Sequence, residues 1–276
     1  MDHFSVDAYA PKEIAARIEN VGISKSTNDP LRVFALSILA GSFIAFGAIF
    51  FTIVTHDATG IAVGLMRLLG GLVFCLGLVL VIIAGAELFT GNNLIVMAYV
   101  DNKVTMKQLL TNWLIVFIGN FIGALGILVL IYLSGHWQIG GGAVGAKVLA
   151  IAHAKVEMTW MEAFTRGMLC NILVCMAVWL CFAGRTVVDK VLAIIFPITA
   201  FVAMGFEHSV ANMYFIPAGL LAKHQPELVQ LVGNMNLDNL TINSFLFDNL
   251  LPVTLGNIIG GSVFVGLFYW FIYLRD

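Results

Sequence analysis

Glu207 and His208 stand side by side inside an apolar run that is long enough to cross a lipid bilayer. Ionisable side chains at that depth cost about 3 kcal/mol each even on lenient insertion scales, so they usually face the protein interior or a path for ions and protons. A second stretch, residues 87–93, has the same outline, because an asparagine follows the glutamate at the fifth position in both (Asn92 and Asn212). The chain therefore contains one membrane-embedded device twice.

The composition places the chain among polytopic membrane proteins, since 60% of its 276 residues are hydrophobic and 11% are charged. A net charge of −2 without a basic stripe argues against a nucleic-acid partner. The cysteines have no metal-ligand spacing and lie in apolar runs, which favours core packing over disulfides, and we expect neither metal nor cofactor. They are Cys75, Cys170, Cys175 and Cys181.

Runs of roughly twenty apolar residues, the length that crosses about 30 Å of hydrocarbon, predict six transmembrane segments. The runs lie at residues 31–55, 64–100, 107–134, 159–183, 190–215 and 249–274. The second run is too long to cross as one helix, because about 35 residues of continuous helix at 1.5 Å each would measure about 52 Å. We therefore expect it to be broken.

Both breaks are predicted next to the membrane glutamates. In the second segment we place the break at residues 87–93, because residues 90–93 (Thr-Gly-Asn-Asn) are poor residues for a helix interior. Irregular backbone at that depth is tolerated where it lines a cavity. In the fifth segment, Pro197 and Gly205 precede Glu207 and predict a second break.

A second motif relates the two halves of the chain. Residues 112–123 resemble residues 249–260, and both stretches carry Gly-Asn-x-x-Gly. Small residues four apart let helices approach closely, and an asparagine at mid-membrane needs a hydrogen-bond partner on a neighbouring helix. Three crossings per half insert in opposite orientations, which predicts a 3+3 inverted repeat with broken helices two and five. Transport proteins of that design place the substrate site at the midplane.

Residues 11–22 predict an amphipathic helix that ends at Gly22, with a polar linker at 24–30. The organisation is then a cytoplasmic N-terminal segment, 1–30, and a transmembrane domain, 31–276. Two interpretations stay open for the helix: a plain surface helix, or a mobile element packed under a pore mouth. Basic residues flank the segments mostly on one side, which predicts that both termini are cytoplasmic.

The chain resembles the formate/nitrite transporter family, and its formate channels most closely. The residues that carry the resemblance are Ala40-Gly41, the stretch 86–92 (Ala-Glu-Leu-Phe-Thr-Gly-Asn), the stretch 166–171 (Arg-Gly-Met-Leu-Cys-Asn) and the stretch 205–213 (Gly-Phe-Glu-His-Ser-Val-Ala-Asn-Met). The resemblance implies an all-α, aquaporin-like six-helix protomer in the bacterial inner membrane. It also implies a homopentamer with one pore per subunit, surrounded by lipid, that passes formate, nitrite or hydrosulfide.

The same resemblance implies roles for individual residues. His208 and Thr90 would form a central polar pair, Asn171 would be a pore-lining donor, and Lys155 would be a cation in the outer vestibule. Five residues would form apolar constrictions: Phe74, Leu78, Phe201, Leu88 and Val174. Apart from the resemblance, we expect the glutamates to hold the broken backbone, because a bare carboxylate in an anion path would repel its cargo. The residues expected to have this structural role at the breaks are Glu87, Gly91, Asn92, Glu207 and Asn212.

A histidine between two apolar constrictions suits the passage of a carboxylate. A bare carboxylate would meet a desolvation cost of tens of kcal/mol there in the Born limit. With unperturbed pKa values near 3.9 for a carboxylic acid and 6.5 for imidazolium, moving a proton from His208 to the anion costs only about 3.5 kcal/mol. We therefore expect a pH-responsive anion channel whose central histidine can protonate its cargo.

Rival interpretations stay open at this point. His208 could be a hydrogen-bonded core histidine, and the pore could carry a neutral solute or ammonia. An intramembrane enzyme using Glu207 and His208 as a general base lacks a paired nucleophile, metal-ligand spacing or a phosphate loop in the sequence. A purely structural scaffold would leave the repeated membrane glutamates without a reason.

Overall fold

The computed structural model describes residues 8–57 and 59–275, and the regular structure in those residues is helical. The helices, in chain order, are α1 (Pro11–Thr27), α2 (Pro30–Thr55), α3 (Val63–Ala84), α4 (Phe89–Asn92), α5 (Val96–Val100), α6 (Met106–Leu133), α7 (Ala143–Val156), α8 (Trp160–Ala183), α9 (Val187–Ala203), α10 (Ser209–Ala222), α11 (Pro226–Leu231) and α12 (Ser244–Tyr273). Short 3-10 turns occur at Asn93–Ile95 and His136–Gln138, and α12 has π-helical turns at Ser244–Leu250 and Ser262–Leu267.

The described residues include five helices that are long and apolar enough to cross a membrane: α2, α3, α6, α8 and α12. This confirms the expected all-α polytopic architecture. The predicted fifth segment consists of two shorter helices, α9 with 17 residues and α10 with 14, which are separated by a break. The count of six crossings, which needs α9 and α10 to cross together, stays a prediction.

Helix α1 is longer than the sequence pattern predicted. It continues to Thr27, so the expected linker at 24–30 shrinks to Asn28, and Asp29 caps α2 by accepting the N–H of Arg32 at 2.9 Å. Gly22 does not end the helix. A Cβ at that position would lie 3.4 Å from the Cα of Ile95, so the glycine allows α1 to pack closely on the segment behind the first break.

The first break begins two residues earlier than predicted. Helix α3 ends at Ala84, and Gly85 takes the left-handed conformation (φ 77°) that closes a helix and costs glycine little. The chain is irregular up to Leu88, and residues 90–92, which were expected to be loop, form the helical turn α4. The C-terminal end of α3 is therefore set by Gly85, which can adopt positive φ.

The second break repeats this geometry. Helix α9 ends at Ala203, Gly205 has φ 73°, and α10 starts at Ser209. Pro197 lies inside α9 and does not mark the break. Each break therefore places a left-handed glycine two residues before the membrane glutamate.

The Gly-Asn-x-x-Gly motifs sit where helices of one half cross most closely. A Cβ on Gly123 of α6 would overlap the carbonyl oxygen of Ile38, and one on Gly260 of α12 would overlap that of Met168. Backbone therefore packs on backbone in both the α2–α6 and α8–α12 pairs. The broken helices pack against these two helix pairs.

Candidate functional site

A closed ring of hydrogen bonds holds the first break. The Lys25 ammonium donates to Glu87 Oε2 at 2.8 Å, and Asn92 Nδ2 donates to the same oxygen at 2.7 Å. Asn92 Nδ2 also donates to Asn112 Oδ1 at 2.9 Å, and Asn112 Nδ2 donates back to the Lys25 carbonyl at 3.1 Å. The buried carboxylate is thereby surrounded by donors and paired with a cation.

The second break is held by the same ring. The Lys155 ammonium lies 2.8 and 2.9 Å from the two carboxylate oxygens of Glu207. Asn212 Nδ2 donates to Glu207 Oε2 and to Asn249 Oδ1, both at 2.7 Å, and Asn249 Nδ2 donates to the Lys155 carbonyl at 2.8 Å. Lys155 therefore pairs with Glu207 of the second break, and it also lines the cavity that leads to His208.

The two rings show that the repeat unit has four elements. Lys25 lies in α1 and Lys155 lies in α7, and they are 130 positions apart. The same offset separates Leu36 from Arg166, whose carbonyls accept the Glu87 and Glu207 N–H groups, each at 3.2 Å. Helix α1 is therefore the counterpart of α7. From the sequence, only the three predicted crossings of each half were paired. The similarity of α1 and α7 was missed because the signal that they share is a single lysine.

The motif asparagines bridge the two sides of each break. Asn120 Oδ1 accepts the Phe89 N–H at 2.9 Å, and Asn120 Nδ2 donates to the Glu87 carbonyl at 2.9 Å. Asn257 makes the two corresponding bonds across the second break, at 2.9 and 3.0 Å. These bonds satisfy backbone groups that the interrupted helices leave without partners.

His208 and Thr90 meet between the two breaks. His208 Nε2 lies 3.0 Å from Thr90 Oγ1, and both residues are almost fully buried. His208 Nδ1 accepts the N–H of Ala211 at 3.1 Å, so the imidazole also caps the start of α10. A backbone N–H can only donate, so this network assigns the proton of a neutral imidazole to Nε2, the atom that faces Thr90.

A cavity of about 370 Å³, the outer cavity, reaches His208 from the side of Lys155. Phe201 lies over the imidazole with ring centroids 6.0 Å apart, and Phe74 packs edge-on against Phe201 at 5.8 Å. Three further basic residues line this cavity, and the sequence analysis did not assign them to the site. They are Arg67, Lys147 and Arg166.

A smaller cavity of about 90 Å³, the inner cavity, lies on the α1 side of the breaks. Leu78, Leu88 and Gly91 line it, and α1 closes it with Ile18 and Gly22. It shares no lining residue with the outer cavity. Apolar side chains therefore separate the two: Leu78 and Leu88 on one side, Phe74 and Phe201 on the other.

Asn171 and Val174 of α8 line neither of these two cavities. Asn171 is fully buried, and its Nδ2 lies 2.7 Å from Asn93 Oδ1, 2.7 Å from the Asn257 carbonyl and 3.2 Å from the Thr90 carbonyl. Val174 belongs to the apolar core. Asn171 therefore holds α4 and α12 together in this structure, and the pore roles of both residues stay predictions.

A charged cluster outside the membrane segments fixes α1. Glu19 is only 3% exposed and pairs with Lys103, whose ammonium also lies 2.8 Å from Asp101. Trp270 Nε1 donates to Asp101 at 3.2 Å. Burial raises the pKa of Glu19, whereas the hydrogen bond from Lys103 lowers the pKa of Asp101. This cluster could not be predicted from the sequence, because its members come from distant parts of the chain.

Known proteins with similar sequences and structures match nearly the whole chain. The family profile described as "Formate/nitrite transporter" matches residues 12–271. The chain is 43% identical to "Formate channel FocA" of Escherichia coli (strain K12) over 274 residues, which are 98% of this chain and 96% of that protein. It is 43% identical to the protein of the same name from Haemophilus influenzae, covering 95% of this chain and 93% of that protein. A solved structure, "Pentameric formate channel with formate bound", is similar with a TM-score of 0.83 and 41% identity, over 89% of this chain and 98% of that one.

Proposed function

The chain belongs to the formate/nitrite transporter family, and from that premise we propose that it conducts formate and similar small monovalent anions. Membership confirms the resemblance drawn from the sequence motifs and makes the protein an integral membrane channel or transporter rather than an enzyme. The intramembrane-enzyme interpretation is thereby abandoned. What is proposed beyond the family is the cargo, the route and the part that His208 plays.

One observation supports the route above all others: the outer cavity reaches His208, and the inner cavity ends at Leu88 and Gly91, which lie beside its partner Thr90 in the chain. The carboxylates nearest this route do not stand bare, because Glu87 and Glu207 each pair with a lysine at 2.8 Å. An anion therefore meets neutral ion pairs at the breaks and additional cations in the outer cavity.

His208 is the group that receives the anion in this proposal. Its Nε2–H and the Thr90 hydroxyl can both donate to carboxylate oxygens, and both residues are buried, where each hydrogen bond to a charged group is strong. Protonation of the anion by His208 requires an imidazolium, and the second proton would have to enter at Nδ1. Protonation at Nδ1 breaks the hydrogen bond from the Ala211 N–H. We therefore expect His208 to transfer a proton to the anion only under acid conditions.

The assembly and its orientation are also proposals. Both cavities and the central pair lie within one chain, which suits one pore per subunit of a homopentamer like that of the similar solved structure. Six basic residues lie on the α1 side and four line the outer cavity, which favours cytoplasmic termini in a bacterial inner membrane. The six are Arg17, Lys25, Lys103, Lys107, Arg185 and Lys190, and the four are Arg67, Lys147, Lys155 and Arg166.

A pH response through α1 completes the proposal. Helix α1 covers the inner cavity, and its buried Glu19 is a titratable group that would sense acid in addition to His208. Deleting residues 1–22 should therefore change the acid response of transport.

Flux into proteoliposomes containing the purified protein tests the proposed cargo. Formate, nitrite and hydrosulfide should compete for one path, while glycerol and methylamine should not move. Absence of anion flux at every pH, with glycerol or methylamine transported, would replace the anion channel with a pore for neutral solutes.

A further inference from the structure

A third cavity, the side cavity, opens beside α1 and has a volume of about 280 Å³. Its wall includes Arg17 and Lys25 of α1, Phe182 and Gly184 at the end of α8, and Lys190 of α9. It adjoins the inner cavity, because Lys25 and Phe182 line both, as do three residues at the end of α3 and the break. Those three are Val81, Ile82 and Ala86.

The docked α1 helix covers the inner cavity directly. Ile18, Val21 and Gly22 form part of the cavity wall, and Ile18 is 3% exposed. The helix is fixed at several points along its length, including the Glu19–Lys103 and Lys25–Glu87 ion pairs. A path straight through α1 would require all of these contacts to open, whereas the side cavity approaches the same chamber with the helix in place.

The rim of the side cavity carries an excess of positive charge. Among the described residues, Arg17 and Lys190 take part in no salt bridge, and the Arg17 guanidinium lies over the Tyr9 ring at 3.7 Å. The one carboxylate in the wall, Glu87, is already paired with Lys25. The neighbouring Asp189 carboxylate points to backbone, because it accepts the N–H groups at 185 and 186, each at 2.9 Å.

We propose that anions reach the inner cavity through this side cavity while α1 stays docked, drawn by Arg17 and Lys190. The inference rests on the proposed anion transport and adds the inner access route and the residues that attract the cargo there. Both cations remain in contact with water, so they raise the local anion concentration without trapping an anion. At neutral pH, helix α1 is then a wall of the route and does not block it.

A disulfide that locks α1 in its docked position tests the route. A Cβ at Gly22 would lie 3.6 Å from the Cβ of Ala98, which matches disulfide geometry, so the double variant Gly22→Cys/Ala98→Cys can be oxidised to tie α1 to α5. Formate flux at neutral pH should be the same before and after oxidation of this variant. Flux that is lost on oxidation and restored by reductant would show that α1 must move, and would overturn the proposal.

Charge variants test the attraction independently, including the case where the double-cysteine protein does not fold. Lys190→Glu and Arg17→Glu should each lower formate flux about threefold at roughly 0.01 M salt, and the loss should vanish at about 0.3 M salt. Lys12→Glu is the matched control, because Lys12 is an exposed cation of α1 that lines none of the three cavities. Equal flux in all three variants at low salt would contradict the proposal. Wild-type protein without formate flux would instead defeat the proposed function itself.

Discussion

His208 Nδ1 accepts the backbone N–H of Ala211 at 3.1 Å, so one imidazole both caps a helix and faces Thr90 and the outer cavity. The two tasks use different ring nitrogens. Because Nδ1 is occupied as an acceptor, the neutral ring presents Nε2–H toward Thr90. We therefore expect a change at this position to affect helix stability and the proposed anion transport in separable ways.

Replacing His208 with alanine or asparagine should separate the two tasks in a stability measurement. Asparagine can accept the Ala211 N–H through its side-chain oxygen, whereas alanine leaves that donor without a partner. We expect His208→Ala to lower the free energy of unfolding by about 1 kcal/mol more than His208→Asn does. Thermal denaturation of both purified variants checks this, and equal stabilities would contradict the capping role.

Removing a break lysine should destabilise the protein, because it leaves a buried carboxylate without its cation. The side chain of Lys155 is 14% exposed and that of Lys25 is 27%, so we expect Lys155→Met to cost more, about 3 kcal/mol. The double variant Lys155→Met/Glu207→Gln should recover most of the loss. Chemical denaturation measures this, and no recovery in the double variant would mean that lysine packing, not charge, stabilises the break.

Asn257→Ala should be strongly destabilising. The substitution strands the Ser209 N–H and the Glu207 carbonyl at a buried break, and each unsatisfied group costs about 1–3 kcal/mol. Asn257→Asp should be no more stable than alanine, because its carboxylate would be buried against the carbonyl oxygens of Gly167 and Glu207. The melting temperatures of the three proteins test the bridging role, and an alanine variant as stable as wild type would contradict it.

Docking of α1 should tighten as the pH falls from 7 toward 5. Burial raises the pKa of Glu19 in the docked state, so the docked form binds the proton more strongly and gains stability as the pH falls through that raised pKa. The pKa of Asp101 is lowered, so its opposing contribution is lost only in stronger acid. Hydrogen exchange of α1 amides against pH measures docking.

Glu19→Gln provides the control for that experiment, since it cannot titrate. We expect its α1 amides to show protection that no longer rises between pH 7 and 5. If the variant retains the wild-type pH dependence, another group senses the acid.

The sequence predicted the membrane class, both helix breaks and the Gly-Asn packing motif, because these depend on local composition and on repeated motifs. It placed the first break two residues late, since Thr90 and Asn92 look unsuitable for a helix although Gly85 is the residue that takes positive φ. The pairing of α1 with α7 could not be predicted. Lys25 and Glu87 come together only after the chain has folded. A single lysine in the sequence does not indicate which residue in the other half corresponds to it.

Asn171 shows a second limit of sequence reasoning. A buried asparagine in a transmembrane helix indicates a hydrogen-bonded partner, but not whether that partner is cargo or backbone. In the folded chain its amide nitrogen lies among three acceptors on α4, α12 and Asn93, which the sequence does not bring together.

Formate uptake into proteoliposomes between pH 4 and 8, comparing wild type with His208→Asn, tests the central role of His208 most directly. Asparagine preserves the helix cap but cannot carry a second proton or extend Nε2–H to the anion. We predict that the variant assembles normally while the pH dependence of its formate flux flattens across this range. A His208→Asn channel with the wild-type rate and pH profile would remove the histidine from the mechanism.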